Sequence, residues 1–178
     1  MEKLKMRLLY DEDEIRRRVK EVAREIAAGY TDDEPILAVC ILRGAVMFFT
    51  DLVKEMPDKN VMFDFVTLSS YENAMYTTGR VKLIQDLRES VEGRHVLVVE
   101  DIVDSGYTID YIRRYFAAKN PLDVKVACLM DKPMTRKVDA YADYKVFTLE
   151  RDAFIVGYGL DCGQLYRNLN GIYEVVDG

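Results

Sequence analysis

The chemistry-bearing residues of this chain crowd into one short stretch. In VLVVEDIVDSGYTID, which starts at Val96, a run of aliphatics ends in Glu100 and Asp101; Asp104 follows, then Ser105, Gly106 and Thr108. Acids in such a place can hold hydroxyl groups or a metal ion. The Ser-Gly turn ahead of Thr108, which opens a helical pattern, suits an anion. The first N–H groups of a helix have no internal partner and sit at the positive end of its dipole, and Gly106 has no side chain to block close approach. A ligand that offers hydroxyls and an anion at that separation is a sugar phosphate. A plainer alternative stays open at this point: Asp104 or Ser105 caps the helix, and Glu100 and Asp101 are solvated charges at a strand end.

The elements that must position these groups follow from hydrophobic periodicity. Ile15, Val19, Val22 and Ile26 recur at helical spacing between Asp11 and Tyr30, with Asp11 or Asp13 as cap. Pro35 introduces ILAVCIL, Ile36 to Leu42, too densely apolar for a half-exposed strand and therefore a strand buried on both faces. AVMFFTDLVKEM is a helix, VMFDFVTL a strand, SSYENAMYTTGR an irregular polar loop, and RVKLIQDL, HVLVVED, VKVACLMDK, YKVFTLE and FIVGYGLD strands. TIDYIRRYFAAKN is a helix that ends near Pro121. Aliphatic strands joined through helices predict an α/β fold with a mainly parallel sheet. In such a sheet ligands bind outside the carboxyl ends of the strands, where Glu100 and Asp101 fall. The segment after Lys132 is expected to form a small appendage. No repeat, low-complexity tract or linker interrupts residues 1–178, so a single domain is expected.

Composition narrows the class. The chain has 178 residues, 49% hydrophobic, with a net charge of -6, which argues against a nucleic-acid coat or an anionic membrane surface as partner. The three cysteines, Cys40, Cys128 and Cys162, form no CxxC and predict reduced thiols in a cytoplasmic protein. MEKLKMRLLYDEDE has no apolar stretch, so no secretory signal is expected. His95, the sole histidine, precedes its strand and is read as structural. There is no G-x-x-x-x-G-K-[ST] and no G-x-G-x-x-G after a strand, which disfavours P-loop and dinucleotide folds. A receiver-type domain would explain strand-end acids near Lys132, but not Ser-Gly-Tyr-Thr.

VVEDIVDSGYT resembles the phosphoribosyl-pyrophosphate (PRPP) motif of the type I phosphoribosyltransferases. ILRGAVMFFTDL resembles the pyrophosphate loop of the bacterial-type hypoxanthine-guanine phosphoribosyltransferases, SSYENAMYTTG their flexible loop with Ser70 and Tyr71, and LMDKPMTRKVD, FIVGYGLD and LYRNL their purine hood and C-terminal elements. The similarity runs in family order from about Ile36 to Tyr173. It implies the type I fold, a mainly parallel central sheet flanked by helices with a small hood made by chain-terminal segments. It implies purine salvage: transfer of the 5-phosphoribosyl group from PRPP to N9 of hypoxanthine or guanine, with Mg2+ as cofactor, in a homodimer or homotetramer.

The resemblance also assigns roles. Asp104 lies near purine N7 as general base or hydrogen-bond acceptor. Glu100 and Asp101 hold the ribose hydroxyls, partly through metal-bound water. Asp104, Ser105, Gly106, Tyr107 and Thr108 hold the 5′-phosphate. Arg43, Gly44 and Arg167 bind pyrophosphate, and Arg136 lies on that side. The peptide before Arg43 can be cis in this family. Lys132 donates to purine O6, Phe154 stacks on the base, Ile155 meets its edge, and Asp161 serves the purine pocket and, with Glu100 and Asp101, the metal. Taken singly, Phe154 and Ile155 read as core, Lys132 as a solvated lysine and Arg167 as a surface ion pair; the ordered set lifts them above that.

Two departures bear on loop behaviour and purine preference. Cys162-Gly163 replaces the family's usual Tyr-Asn, and Glu72 stands where glycine is common. Two other functions compete. A regulatory RNA-binding relative would need a basic face, and a uracil or adenine enzyme would lack the Lys132 and Phe154-Ile155 hood.

Overall fold

The computed structural model describes residues 4–31, 33, 35–73 and 76–176, with the side chains of residues 70–80 outside the description. Strands β1 (Met6–Tyr10), β2 (Ile36–Leu42), β3 (Val61–Asn73), β4 (Tyr76–Gln85), β5 (His95–Val103), β6 (Asp123–Asp131), β7 (Tyr144–Thr148), β8 (Ile155–Val156) and β9 (Ile172–Val175) alternate with helices α1 (Glu12–Ala28), α2 (Val46–Lys54) and α3 (Tyr107–Ala117). Among the described residues, six strands form one sheet in the order β4-β3-β2-β5-β6-β7. All its pairs are parallel except β3 with β4. A second, antiparallel sheet joins β1, β9 and β8.

The density of β2 has a direct cause. Ile36, Ala38 and Cys40 enter the core beneath α1 and α2, whereas Leu37, Val39 and Ile41 enter the core beneath α3. Successive side chains of a strand point to opposite faces, so a strand covered on both sides must be apolar at every position. α1 buries Ile15, Val19, Val22 and Ile26, the spacing read from the sequence, and Asp11 caps it by accepting from Glu14 N at 2.8 Å. All three cysteines are unpaired thiols.

Three expectations change. SSYENAMYTTGR is not an irregular loop in its backbone: β3 continues to Asn73 and pairs with β4, Ser70 opposite Val81 and Asn73 opposite Tyr76. The segment after Lys132 is not wholly an appendage, because β7 lies parallel to β6 in the main sheet. FIVGYGLD keeps only Ile155–Val156 as strand; Gly157 and Gly159 then take positive φ values of 98° and 99° and turn the chain back. β1, unmarked in the sequence, joins β8 and β9, so the hood takes its strands from both ends of the chain.

Candidate active site

Because β2, β5 and β6 run parallel, their carboxyl ends open on one side, and the segments after them meet there with residues 157–167 of the hood. β5 delivers the acids as its own last residues. Glu100 is buried at 5% exposure. Its Oε1 accepts from Asp101 N at 3.2 Å, while Oε2 has no hydrogen-bond partner. Asp101 Oδ1 accepts from Ile102 N at 2.8 Å. Burial, reinforced by the charge of Asp101, pushes the Glu100 carboxyl well above the ordinary carboxylate range. Burial also raises Asp101, opposed by hydrogen bonding to Glu100 and Ile102 and by the Arg167 charge. Two acids in one dry site repel and resist ionisation until a cation or hydroxyls meet them.

The turn after β5 leaves the start of α3 open. Gly106 is its N-cap at φ 87°, and no side chain caps the helix, so neither Asp104 nor Ser105 takes the capping role. Tyr107 and Thr108 form the first turn beside an exposed Asp104. The segment after β6 closes over this turn: Lys137 N and Val138 N donate to Ser105 O at 2.9 and 3.3 Å. A Cβ on Gly106 would come within 3.0 Å of Arg136 Cδ and 3.1 Å of Val138 Cγ2. Arg136 is paired with Asp131, both buried, and lies over the Tyr141 ring. Its contacts are with Asp131, the Tyr141 ring and the floor of the α3 turn, and its Nε and Nη1 have no hydrogen-bond partner.

Arg43 and Gly44 follow β2, and the Leu42-Arg43 peptide is cis. The loop is pressed between two neighbours. A Cβ on Gly44 would lie 1.5 Å from Asp101 Oδ2, and one on Gly159 would lie 2.0 Å from Gly44 O. Glycine at both positions lets the Asp101 carboxylate of β5 and the backbone of the hood close on the β2 loop from two sides. The hood then supplies Arg167. Its Nη1 donates to Gly159 O at 2.6 Å, and its Nη2 lies 2.7 Å from Asp161 Oδ1. Asp161 Oδ2 accepts from Gln164 N at 2.8 Å, so both its oxygens are engaged.

Lys132 is buried at 6% exposure, and its Nζ donates to Asp152 Oδ1 at 3.1 Å. Phe154 is 54% exposed, with its carbonyl accepting from Val175 N, whereas Ile155 is buried in β8. The exposed ring is free to stack, unlike a core phenylalanine. The side chains of Ser70 and Tyr71 lie outside the described residues. His95 sits at the amino end of β5, the end away from this cluster, with Nδ1 2.8 Å from Asp123 Oδ2.

Sequence reasoning missed Gln164, Asp152 and the buried Asp131. Gln164 has φ 72° in an irregular turn and carries no period; the one signal beside it was the unusual Cys162-Gly163. Asp152 and Asp131 are acids next to residues already singled out, and only the fold shows which of the chain's 31 acids meets a chosen cation.

The chain matches the phosphoribosyl transferase domain family over residues 9–162. It is 43% identical over 173 residues to the hypoxanthine-guanine phosphoribosyltransferase of Aquifex aeolicus, covering 97% of this chain and 96% of that protein. It is 44% identical over 163 residues to that of Bacillus subtilis, covering 92% and 89%. The crystal structure of a hypoxanthine-guanine phosphoribosyltransferase from Bacillus anthracis superposes with a TM-score of 0.90 at 40% identity, over 98% of this chain and 100% of that one. With the sheet, the hood and the strand-end acids all in place, the chain belongs to the hypoxanthine-guanine phosphoribosyltransferase family.

Proposed function

We propose that this chain, acting as one phosphoribosyltransferase domain, transfers the 5-phosphoribosyl group of PRPP to N9 of hypoxanthine or guanine, giving IMP or GMP and pyrophosphate in purine salvage. The observation that carries this reading is the pair of buried Glu100 and half-buried Asp101, placed between an uncapped helix start and a two-arginine cluster. A sugar bearing a phosphate at one end and pyrophosphate at the other matches that order of charges. The N–H groups at the start of α3, with Ser105 and Thr108, take the 5′-phosphate. Glu100 and Asp101 hold the ribose hydroxyls. Arg43, Arg167 and the Gly44 backbone receive the pyrophosphate, on which negative charge grows as the C1–O bond breaks and the bond to purine N9 forms. Asp104, exposed beside the α3 turn, accepts a proton or a hydrogen bond from the purine. Lys132 donates to O6, Phe154 stacks, and Ile155 and Asp161 line the purine pocket.

The residues fit magnesium, which phosphoribosyltransferases generally use with PRPP. Glu100 Oε2 is buried without a partner, and among the described residues no three acids, cysteines or histidines converge on one point. Mg2+ keeps several waters and substrate oxygens as ligands, so it would need few protein carboxylates at once: Glu100 and Asp101 would hold one ion with PRPP, and Asp161 would meet metal-bound water or a second ion. Its contribution is to neutralise pyrophosphate charge.

No helix among the described residues is long and apolar enough to cross a membrane. Met47, Phe63, Phe65 and Ile84 are exposed, and Phe63 and Phe65 both contact the Phe49 ring. An apolar patch of this kind fits self-association as a homodimer or homotetramer, which light scattering on the purified chain reads directly. The deciding experiment is a PRPP-dependent assay across hypoxanthine, guanine, xanthine and adenine. Turnover of the 6-oxo purines, abolished by excess chelator and restored by Mg2+, is expected. Turnover of adenine alone, or none without RNA, would overturn the reading.

A further inference from the structure

We propose that Gln164 is a positioning residue for the pyrophosphate end of PRPP: its amide oxygen holds the guanidinium groups of Arg43 and Arg167 convergent and yields to a pyrophosphate oxygen when substrate binds. The inference rests on the reading of Arg43 and Arg167 as pyrophosphate ligands.

Gln164 Oε1 accepts from Arg43 Nη1 at 3.1 Å and from Arg167 Nη2 at 3.2 Å. Two cations from the β2 loop and the hood, which repel one another, are thereby drawn onto one atom. Gln164 is itself held firmly enough to do this, because its backbone N donates to Asp161 Oδ2 at 2.8 Å. The choice of an amide matters. A carbonyl oxygen has two lone pairs and satisfies both donors, but it carries no net charge and neutralises neither arginine. The amide therefore adds no negative charge to a cluster in which Asp161 already pairs with Arg167. A carboxylate would make the same two bonds and add one negative charge. The guanidinium groups aimed at one oxygen already have the convergence that a phosphate oxygen requires. Arg43 is otherwise an exposed, rotamer-rich side chain, and ordering such a group on binding weakens affinity by about three- to tenfold.

The test is steady-state kinetics on the full chain, comparing wild type, Gln164→Ala and Gln164→Glu. The readings are KM for PRPP, KM for hypoxanthine, kcat and the product-inhibition constant of pyrophosphate. In Gln164→Ala, KM for PRPP and the pyrophosphate constant are expected to rise together by about three- to tenfold, with KM for hypoxanthine unchanged. In Gln164→Glu they are expected to rise as well, since pyrophosphate must displace a charged competitor. Restoration of wild-type values by Glu would show a simple brace and overturn the proposal. So would unchanged constants in both variants, or equal losses toward both substrates. Absence of PRPP turnover in wild type would instead remove the reading of the site on which the inference stands.

Discussion

Base selection resides in a few donors and acceptors, and Lys132 is the residue placed to dominate it. An ammonium has donors only, so it rewards a carbonyl at purine position 6 and offers nothing to an amine. Its burial sharpens the choice, because a buried polar group left without its partner costs about 1–3 kcal/mol, roughly ten- to a hundredfold. Lys132→Gln is expected to weaken hypoxanthine and guanine use and to narrow the gap to adenine; an unchanged base profile would place the selecting group elsewhere. Asp152, which holds the ammonium at 3.1 Å, gives Lys132 a direction before a purine arrives. Glu100 carries a prediction of a different kind. Folding raises its pKa above the ordinary 4.5 through burial and the Asp101 charge. The folded state therefore holds this proton better than the unfolded one. The favourable contribution is complete below pH 4.5 and is lost as the pH rises through the folded value. Glu100→Gln removes that loss, so it should melt higher than wild type at pH 8, by about 2–4 °C for each kcal/mol relieved, and turn over poorly. The gain should vanish as the pH falls toward 4.5. An equal gain at pH 5 and pH 8 in thermal melts would deny the cause given.

At the scale of elements, the site depends on close contact among Asp101 of β5, the β2 loop and the hood. Gly159 is the joint between two backbones, with φ 99° and Gly44 O only 2.0 Å from any Cβ. Gly159→Ala adds backbone strain to overpacking, each about 1–3 kcal/mol. It should lower stability and, by moving Arg167 away through its bond to Gly159 O, raise KM for PRPP more than KM for hypoxanthine. An alanine variant with wild-type stability and kinetics would show that the stack is not required. The β3–β4 hairpin answers a different need. An oxocarbenium-like sugar must be kept from water, and an arm of polar composition from Ser69 to Gly79 can close over the ligand at small cost. Proteolysis between residues 71 and 76 is expected to slow when PRPP and a purine analogue bind together; equal cleavage rates with and without ligand would rule out a lid.

For the molecule as a whole, the two faces of the sheet hold the reactive groups that the chemistry does not use. Burial pushes the Cys40 thiol up to about 12 and raises Cys128 as well, the nearby Glu100 adding to both. Cys162 is half-buried in the hood next to Asp161. At pH 8 a thiol reagent should modify one cysteine per native chain and all three after unfolding. PRPP with Mg2+ should slow the native reaction at Cys162. Rapid labelling of Cys40 or Cys128 in the native protein would mean that β2 or β6 opens readily.

The periodic and the contiguous were legible in the chain alone. Ile15 to Ile26 declared a helix and Ile36 to Leu42 a doubly covered strand, because each pattern is the direct imprint of which faces are buried. Glu100 to Thr108 read as a sugar-phosphate loop because acids, glycine and helix start are adjacent along the backbone. What the sequence left undecided is whatever depends on distant segments meeting. β1 shows only once β9 lies beside it, since in a five-residue edge strand only Leu9 and Tyr10, at one end, pack against the core, too few to impose a period. The polar arm from Ser69 onward pairs as strands through backbone bonds that no side-chain pattern announces. Arg136 turned to Asp131, Lys132 to Asp152, and Gln164 to both Arg43 and Arg167. Charges find partners by distance in space, and that distance is set by the packing of both sheets rather than by separation along the chain.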